Sequence, residues 1–201
     1  MIKTLRFAAL AGAALLAVSA TAAIAADPAS VPAGTYTLET NHTRVAFNID
    51  HMGFSNWYGD FTGAKGTLVL DPKNIAASQL DITIPTASIS TTNTVVDGEL
   101  KDPTWFDAAK YPTITFHSTA VTSTGGDTAK VTGDLTFHGV TKPVVLDVTF
   151  NGSGPGMNPL QTRAGFSATT TIKRSEYGVG KYVPLVGDDV TLNIEVEFQK
   201  K

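Results

Sequence analysis

The feature that most constrains the fold is residues 131–150, where apolar and polar side chains alternate in two runs separated by a short break. Leu135 and Phe137 belong to the apolar face of the first run, and Leu146 to that of the second. Strict period-two alternation is typical of a β-strand with one buried face. Gly139 in the break accepts positive φ, so the two runs form a hairpin. Since an isolated hairpin is marginal in water, other strands must cover its apolar face.

The same alternation recurs along the chain and, with the hairpin, predicts about eight or nine strands that short connections make antiparallel. We therefore predict an all-β fold, a single antiparallel β-barrel of about eight strands, because closure removes exposed strand edges. A two-sheet sandwich is the alternative architecture. Residues 151–159 and 177–189 carry turn residues and are predicted to be loops. The further strands are predicted at residues 34–39, 43–50, 66–71, 79–86, 113–121, 163–173 and 190–198.

Residues 91–111 interrupt the strand pattern. A short helix is predicted over residues 93–101, although Gly98 weakens it. Asp102 followed by proline predicts a second helix start, with Asp102 as the N-cap. Trp105 and Phe106 follow, and we expect this short helical insert to cap one end of the barrel. The two aromatic side chains form either a lid over an apolar cavity or ordinary core packing.

The N-terminus has the features of a secretory signal peptide. Lys3 and Arg6 precede an apolar run, and small residues lead to a cleavage site after Ala25. A retained membrane anchor is the alternative, but the apolar run is shorter than the ~18–20 residues that a membrane span needs. We therefore predict a signal peptide over residues 1–25, one barrel domain over residues 34–199, and export to the periplasm.

Composition excludes several classes of protein. The chain of 201 residues contains no cysteine, so an exported domain must be held by its core and not by disulfides. Loss of Lys3 and Arg6 changes the formal net charge from −3 to −5, which argues against nucleic acid as a partner. No segment of the mature chain is long and apolar enough to predict a transmembrane span.

Catalytic and cofactor motifs are missing from the sequence. It lacks a nucleophile elbow, a zinc-protease motif, a phosphate loop and a cysteine nucleophile, so we predict no enzyme activity, no catalytic residues and no cofactor. None of the four histidines has metal-ligand spacing to another, and no metal is predicted, although convergence of distant residues stays open.

Three residues are candidates for contact with a polar ligand group. His51 and His138 each precede a turn, and hydrogen bonding to loop backbone is the alternative role for both. Arg174 stands at a strand end, where a guanidinium can bind an anionic head group. Its alternative role is a structural ion pair with Glu176 or Asp107.

An eight-stranded barrel is either filled by side chains or holds one small ligand. Modest inward residues such as Ala168, Thr170 and Gly133 leave room for a ligand, and each buried methylene would contribute ~0.8 kcal/mol. A one-residue shift in register would invert the assignment of faces. The predicted lumen wall consists of apolar side chains from all parts of the domain, namely Phe47, Ile49, Ile82, Ile84, Trp105, Phe106, Phe116, Leu135, Phe137, Leu146, Val148, Phe166, Ala168, Ile172, Leu192 and Ile194.

Five segments, residues 45–55, 59–63, 100–116, 133–144 and 173–178, resemble in order and spacing the YceI-like family of polyisoprenoid-binding periplasmic proteins. The resemblance implies a lipocalin-like barrel with an elongated apolar lumen. It implies an isoprenoid quinone, a prenyl phosphate or another long-chain amphiphile as the ligand, and a homodimer, since family members are often dimeric. Glu176-Tyr177 stands where the family usually shows Asp-Phe, and Trp105 departs from a Phe-Phe-like pair. The family has no agreed catalytic residues, so none are carried over.

Three functional hypotheses follow. The leading one is a periplasmic carrier that buries a polyisoprenoid lipid in the lumen without a further cofactor. The second is an enzyme acting on such a lipid, with His51, His138 or Arg174 as an acid or anion-binding group. The third is a structural or stress protein whose barrel is packed and takes no ligand.

Overall fold

The computed structural model describes residues 27–158 and 160–201, and the predicted signal peptide lies outside them. The described chain forms eleven β-strands and one α-helix, which confirms the predicted all-β class and its helical insert. Their bounds are β1 (Gly34–Leu38), β2 (Arg44–His51), β3 (Ser55–Phe61), β4 (Lys65–Leu70), β5 (Gln79–Pro85), β6 (Ile89–Ser90), α1 (Thr94–Lys101), β7 (Thr113–Gly125), β8 (Thr128–Phe137), β9 (Val140–Pro155), β10 (Thr162–Lys173) and β11 (Val186–Lys200).

Eight of the strands close into a barrel, as predicted, so the sandwich alternative is wrong. The ring runs β1-β4-β5-β7-β8-β9-β10-β11, and pairing of β1 with β11 closes it. Leu38 and Phe198 face each other at this closure. Every ladder is antiparallel. Closure satisfies the backbone hydrogen bonds of each ring strand on both sides, which removes the edge problem.

The long strand β11 pairs with two partners on the same side. Residues near its C-terminal end pair with β1, whereas Val190 and neighbouring residues pair with β2. A short 3-10 turn, Thr40–His42, joins β1 to β2. Beyond β2 the sheet continues through β3 to β6. At the end of the barrel where β11 begins, the wall is therefore built from β2, β3 and β6 beside β11.

The hairpin of β8 and β9 has a two-residue turn, His138-Gly139, between the paired residues Phe137 and Val140. Both turn residues have positive φ, 50° for His138 and 75° for Gly139. Positive φ at both central positions defines the type I′ turn, whose twist matches that of the strands. Glycine takes this conformation freely, while His138 is held in it by contacts described below.

Three local predictions are wrong. Strand β3 was not predicted, because Gly59 occupies an inward position and exposed Tyr58 an outward one, so apolar alternation is lost. Strand β9 extends to Pro155 and β11 begins at Val186, in both cases through residues predicted to be a loop, since these residues still pair with neighbouring strands. Asp102 is the C-cap of α1 and not the start of a second helix, with its backbone N–H bonded to the Glu99 carbonyl.

Gly133 does not leave free space in the lumen, contrary to the sequence-based expectation. A Cβ atom there would lie 2.4 Å from Cζ of Phe116 and 2.6 Å from the carbonyl oxygen of His117. The ring of Phe116 therefore lies directly against the backbone of β8. A glycine opposite a large side chain allows this close approach, so Gly133 contributes to packing of the barrel wall.

The two ends of the barrel differ. At one end Val31, Tyr36 and Phe198 are buried, and the Tyr36 hydroxyl donates a 2.6 Å hydrogen bond to the Pro32 carbonyl. The segment that contains α1 lies at the other end, where Thr86 anchors it through hydrogen bonds to residues 111 and 112. No helix of the described ranges is long and apolar enough to cross a membrane.

Candidate functional site

The barrel encloses a cavity of about 480 Å³. This volume falls within the ~300–1,000 Å³ range of small-molecule sites in proteins. Strands β1–β5 and β7–β11 all contribute side chains to the wall, together with α1 and the segment that follows it. The wall is overwhelmingly apolar, so the cavity suits a hydrocarbon better than a polar ligand.

All sixteen residues predicted to face the lumen line this cavity. Their register is set by ladder pairs such as Ala168 with Ile194 and Phe116 with Leu135. Their contact with a ligand stays a prediction. Further apolar residues of the same strand faces also line the cavity and were not assigned to it, among them Leu38, Val45, Leu68, Leu70, Ile114, Val131, Val144, Val190, Val196 and Phe198. The alternation of inward and outward side chains along each strand would have been sufficient to assign them to the lumen.

Many inward side chains are only partly buried. Ile82, Phe166, Ile172 and Leu192 point into the barrel and line the cavity, yet each stays half-buried. Interiors of globular proteins are normally close-packed, with few voids larger than a water molecule. Side chains therefore do not fill this barrel, and its apolar surface has space to contact a guest molecule.

At the end of the barrel that carries α1, three residues that line the cavity are exposed to solvent, so we infer that the cavity opens there. Its mouth, as we call this opening, is bordered by His51, Glu99, Trp105 and Tyr182. The Trp105 and Tyr182 rings meet edge to face, with centroids 6.0 Å apart. These four residues come from β2, from α1 and the turn after it, and from the loop before β11. Fold closure thus gathers distant sequence segments around one opening.

Phe106 and Trp105 have different environments. The Phe106 ring stacks on Phe61 of β3 at 6.1 Å and meets Phe137 of β8 edge-on at 5.1 Å. It thereby packs the insert against two strands of the wall, β3 and β8. Trp105 instead contacts Tyr182 and borders the mouth. Phe106 therefore takes the packing role that the sequence left open, and the lid role of Trp105 stays a prediction.

Arg174 lines the cavity, but its guanidinium group donates its hydrogen bonds to the protein backbone. It is 4% exposed, and it donates hydrogen bonds of 2.7–2.8 Å to the carbonyl oxygens of residues 179, 181, 186 and 187. Burial lowers its pKa from the ordinary value. Neither alternative ion pair, with Glu176 or with Asp107, forms among the described residues, and Glu176 pairs with Lys142 at 3.5 Å. Arg174 organises the loop before β11.

The two candidate histidines are placed differently. His51 lies at the end of β2 and borders the mouth, with its ring 6.3 Å from that of Trp57. His138 is outside the set of described residues that line the cavity. Its Nδ1–H donates a 2.9 Å hydrogen bond to the Tyr177 carbonyl, and its ring packs on Tyr111 at 4.6 Å. His138 thus takes the backbone-bonding role that the sequence left open as its alternative.

Trp57 is a cavity residue that the sequence did not reveal, because its strand was not predicted. It lies on the inward face of β3 beside Ile49. Within the described chain its Nε1–H is buried and has no hydrogen-bond partner. A buried donor without an acceptor costs about 1–3 kcal/mol, which makes Trp57 an unsatisfied polar group in the lumen wall.

One cluster in the described chain brings metal-ligand atoms together on the outer surface. Ligand atoms of Glu39, His42 and Glu197 lie within 4.8 Å of one another. Each acid already has partners, because Glu39 accepts from the backbone N–H groups of residues 41 and 42, and Glu197 accepts from Arg163 at 2.7 Å. Glu39 thus serves as the cap of the Thr40–His42 turn, and Glu197 as the partner of Arg163.

A closed antiparallel barrel with an apolar cavity and a single helical insert at its mouth defines a lipocalin-like class of protein. The model of the YceI-like domain matches residues 36–198. The chain therefore belongs to the YceI-like family.

Similar proteins extend this result. A UPF0312 protein of Pseudomonas savastanoi pv. phaseolicola is 40% identical over 162 residues, which is 80% of this chain and 82% of that protein. The crystal structure of Burkholderia cenocepacia BcnA has a TM-score of 0.73 and 27% identity, covering 80% of this chain and 98% of that one. A polyisoprenoid binding domain from Saccharophagus degradans has a TM-score of 0.61, covering 83% and 98%, and at 16% identity it shows the shared fold.

Proposed function

We propose that the protein is a periplasmic carrier that holds the hydrocarbon chain of a polyisoprenoid lipid, or of a similar long-chain amphiphile, inside the barrel. The isoprenoid quinones and prenyl phosphates are the ligand classes implied by the family. The carrier works by passive burial, without a cofactor and without chemistry on the ligand.

One observation carries the proposal, namely the unfilled apolar cavity of about 480 Å³ with a mouth at one end. Burial of about ten methylenes contributes ~8 kcal/mol, which corresponds to a dissociation constant near 1 µM before the entropic cost of binding is subtracted. Apolar contact is thus the main source of affinity, and the net affinity rises with the length of chain that enters the lumen. A hydrocarbon chain needs no polar partner in the wall, and the wall offers few.

Export supports the periplasmic part of the proposal. The basic start, apolar run and small-residue cleavage site of residues 1–25 are the features of a secretory signal. A lipid that crosses an aqueous compartment needs a binding protein that shields its hydrocarbon chain from water, because exposure of each methylene to water is unfavourable by ~0.8 kcal/mol.

The test is a binding experiment with a blocked lumen. Ala168 lines the cavity, so Ala168→Phe places a ring inside it, whereas Ala120 is exposed on β7 and serves as the matched control. Binding of a fluorescent prenyl probe should fall at least tenfold in Ala168→Phe and stay within twofold of the parent in Ala120→Phe. Equal binding by the two variants would place the lipid outside the barrel and reject the proposal.

An enzyme acting on the same lipid is the second candidate, and His51 at the mouth is the observation that favours it. This hypothesis expects turnover of a bound prenyl substrate that His51→Ala abolishes. The carrier hypothesis expects the bound lipid to be recovered unchanged from both proteins. Mass spectrometry of the extracted lipid separates the two.

A further inference from the structure

Lys181 is a cation at the mouth that the sequence-based candidates did not include. It lies in the loop between Tyr177 and β11, next to Tyr182. Its Nζ is 5.4 Å from the ring centroid of Trp105 and 5.1 Å from that of Tyr182. Both rings line the cavity, whereas Lys181 and Thr104 do not, so the ammonium group lies on the outer side of the two rings that border the mouth.

The donors of Lys181 are largely free. Its Nζ donates one hydrogen bond, 3.3 Å long, to the Thr104 hydroxyl, out of the three that an ammonium group can make. Among the described residues no carboxylate lies within 4.0 Å of it. By contrast, Lys130 and Lys173 each pair with an aspartate on the outer surface, and Arg174 is committed to backbone carbonyls.

We propose that Lys181, together with the Thr104 hydroxyl, binds the anionic head group of the amphiphile whose chain occupies the lumen. The inference rests on the proposed carrier function and adds a head-group site and a ligand orientation. The phosphate or carboxylate lies at the mouth, and the hydrocarbon chain runs inward from it. The Trp105 and Tyr182 ring faces hold the ammonium group in place by cation–π attraction.

Glu99 limits how strongly the mouth prefers an anionic head group over a neutral one. Its carboxylate also borders the mouth and is exposed, so it repels an anionic head group. Arg174 also lines the cavity, with its guanidinium 5.7 Å from the Trp105 ring centroid, but its donors are committed to backbone carbonyls. Substitution of Lys181 and substitution of Glu99 should therefore shift the net charge at the mouth in opposite directions. This opposition gives the inference two independent tests on the same surface.

The experiment compares two ligands with one hydrocarbon chain, geranylgeranyl phosphate and geranylgeraniol, in competition with a fluorescent prenyl probe. The parent protein should bind the phosphate about tenfold more tightly than the alcohol, since hydrogen bonds to a charged group are worth about that much at a partly exposed site. Lys181→Met should abolish the preference and leave the affinity for the alcohol within twofold. Lys181→Arg should retain it, and Glu99→Gln should increase it.

Lys130→Met is the matched control, because Lys130 lies on β8 with its ammonium group on Asp147 at the outer surface. It should leave the preference unchanged. A twenty-carbon fatty acid distinguishes a carboxylate from a phosphate as the favoured anion. Equal affinity of the parent for phosphate and alcohol, or a preference that survives Lys181→Met, would overturn the inference while leaving the carrier function in place. Failure to bind any of the three ligands would instead reject the carrier function itself.

Discussion

Arg174 donates a hydrogen bond from Nη1 to the carbonyl oxygen of Val179 at 2.7 Å, inside the wall of the barrel. Val179 is itself 2% exposed, so the loop that follows β10 turns back into the protein instead of projecting from it. The same Nη1 reaches the carbonyl oxygen of Lys181 at 2.8 Å. Through these bonds one buried side chain positions the residues on that side of the mouth.

Loss of Arg174 should therefore destabilise the protein. Arg174→Met leaves the carbonyl groups it serves without a donor, and we expect the free energy of unfolding to fall by about 3–5 kcal/mol. Arg174→Lys should recover only part of this loss, because an ammonium group lacks the planar fork that reaches several carbonyls at once. Denaturant unfolding measures both values. A Met variant as stable as the parent would show that the loop does not depend on these bonds.

Substitution of alanine for two glycines should change the free energy of unfolding in opposite directions. Gly133→Ala places a methyl group against the Phe116 ring and the His117 carbonyl, and we expect a loss of about 1–3 kcal/mol. Gly98 lies within α1, and no atom comes within 4 Å of the place that an added methyl group would occupy, so Gly98→Ala should stabilise by about 0.5–1 kcal/mol. Thermal or denaturant unfolding of the pair is the measurement. A stabilised Gly133→Ala would contradict the close approach of β7 and β8.

Asp97 should contribute to loss of stability in acid. The hydrogen bond from the Thr91 hydroxyl, 2.7 Å long, holds the pKa of Asp97 below its ordinary value, assisted by the Thr91 backbone N–H and Lys101 and opposed by partial burial. A folded-state pKa below the unfolded one stabilises the protein above the unfolded value of about 3.9 and ceases to do so as pH falls through the folded value.

The test for Asp97 compares the parent with Asp97→Asn at about pH 6 and about pH 2.5, which lie above and below the unfolded pKa. The amide keeps an acceptor for Thr91 but does not titrate, so the stability of the variant should decline less between the two pH values. Parallel declines in the two proteins would show that Thr91 does not stabilise the carboxylate form.

The sequence was sufficient for the barrel and for the face of each regular strand, because alternation such as that of Phe166, Ala168 and Ile172 is a local property of the chain. It did not reveal β3, where Gly59 and exposed Tyr58 remove the alternation. The inference that Gly133 leaves space failed for a related reason, since the void it would make is filled by a side chain of another strand.

The polar groups at the mouth were harder to predict than the apolar wall. A basic residue at a strand end can serve a ligand or the backbone, and which of these it serves depends on loops that close from elsewhere in the chain. The guanidinium of Arg174 donates its hydrogen bonds to backbone carbonyl oxygens within residues 179–187. Lys181 instead lies beside Trp105, which is 76 residues earlier in the chain (181 minus 105). Neither placement is encoded in local periodicity.

The most direct test of the carrier function is native mass spectrometry of the mature protein purified from its own cells without denaturation, followed by extraction of any bound lipid. We predict a co-purifying prenyl lipid at about one per barrel, the capacity of an eight-stranded barrel for a small ligand. The same spectrum reports whether the homodimer expected from the family forms. Protein that is empty, and stays empty when quinones and prenyl phosphates are supplied, would contradict the carrier function.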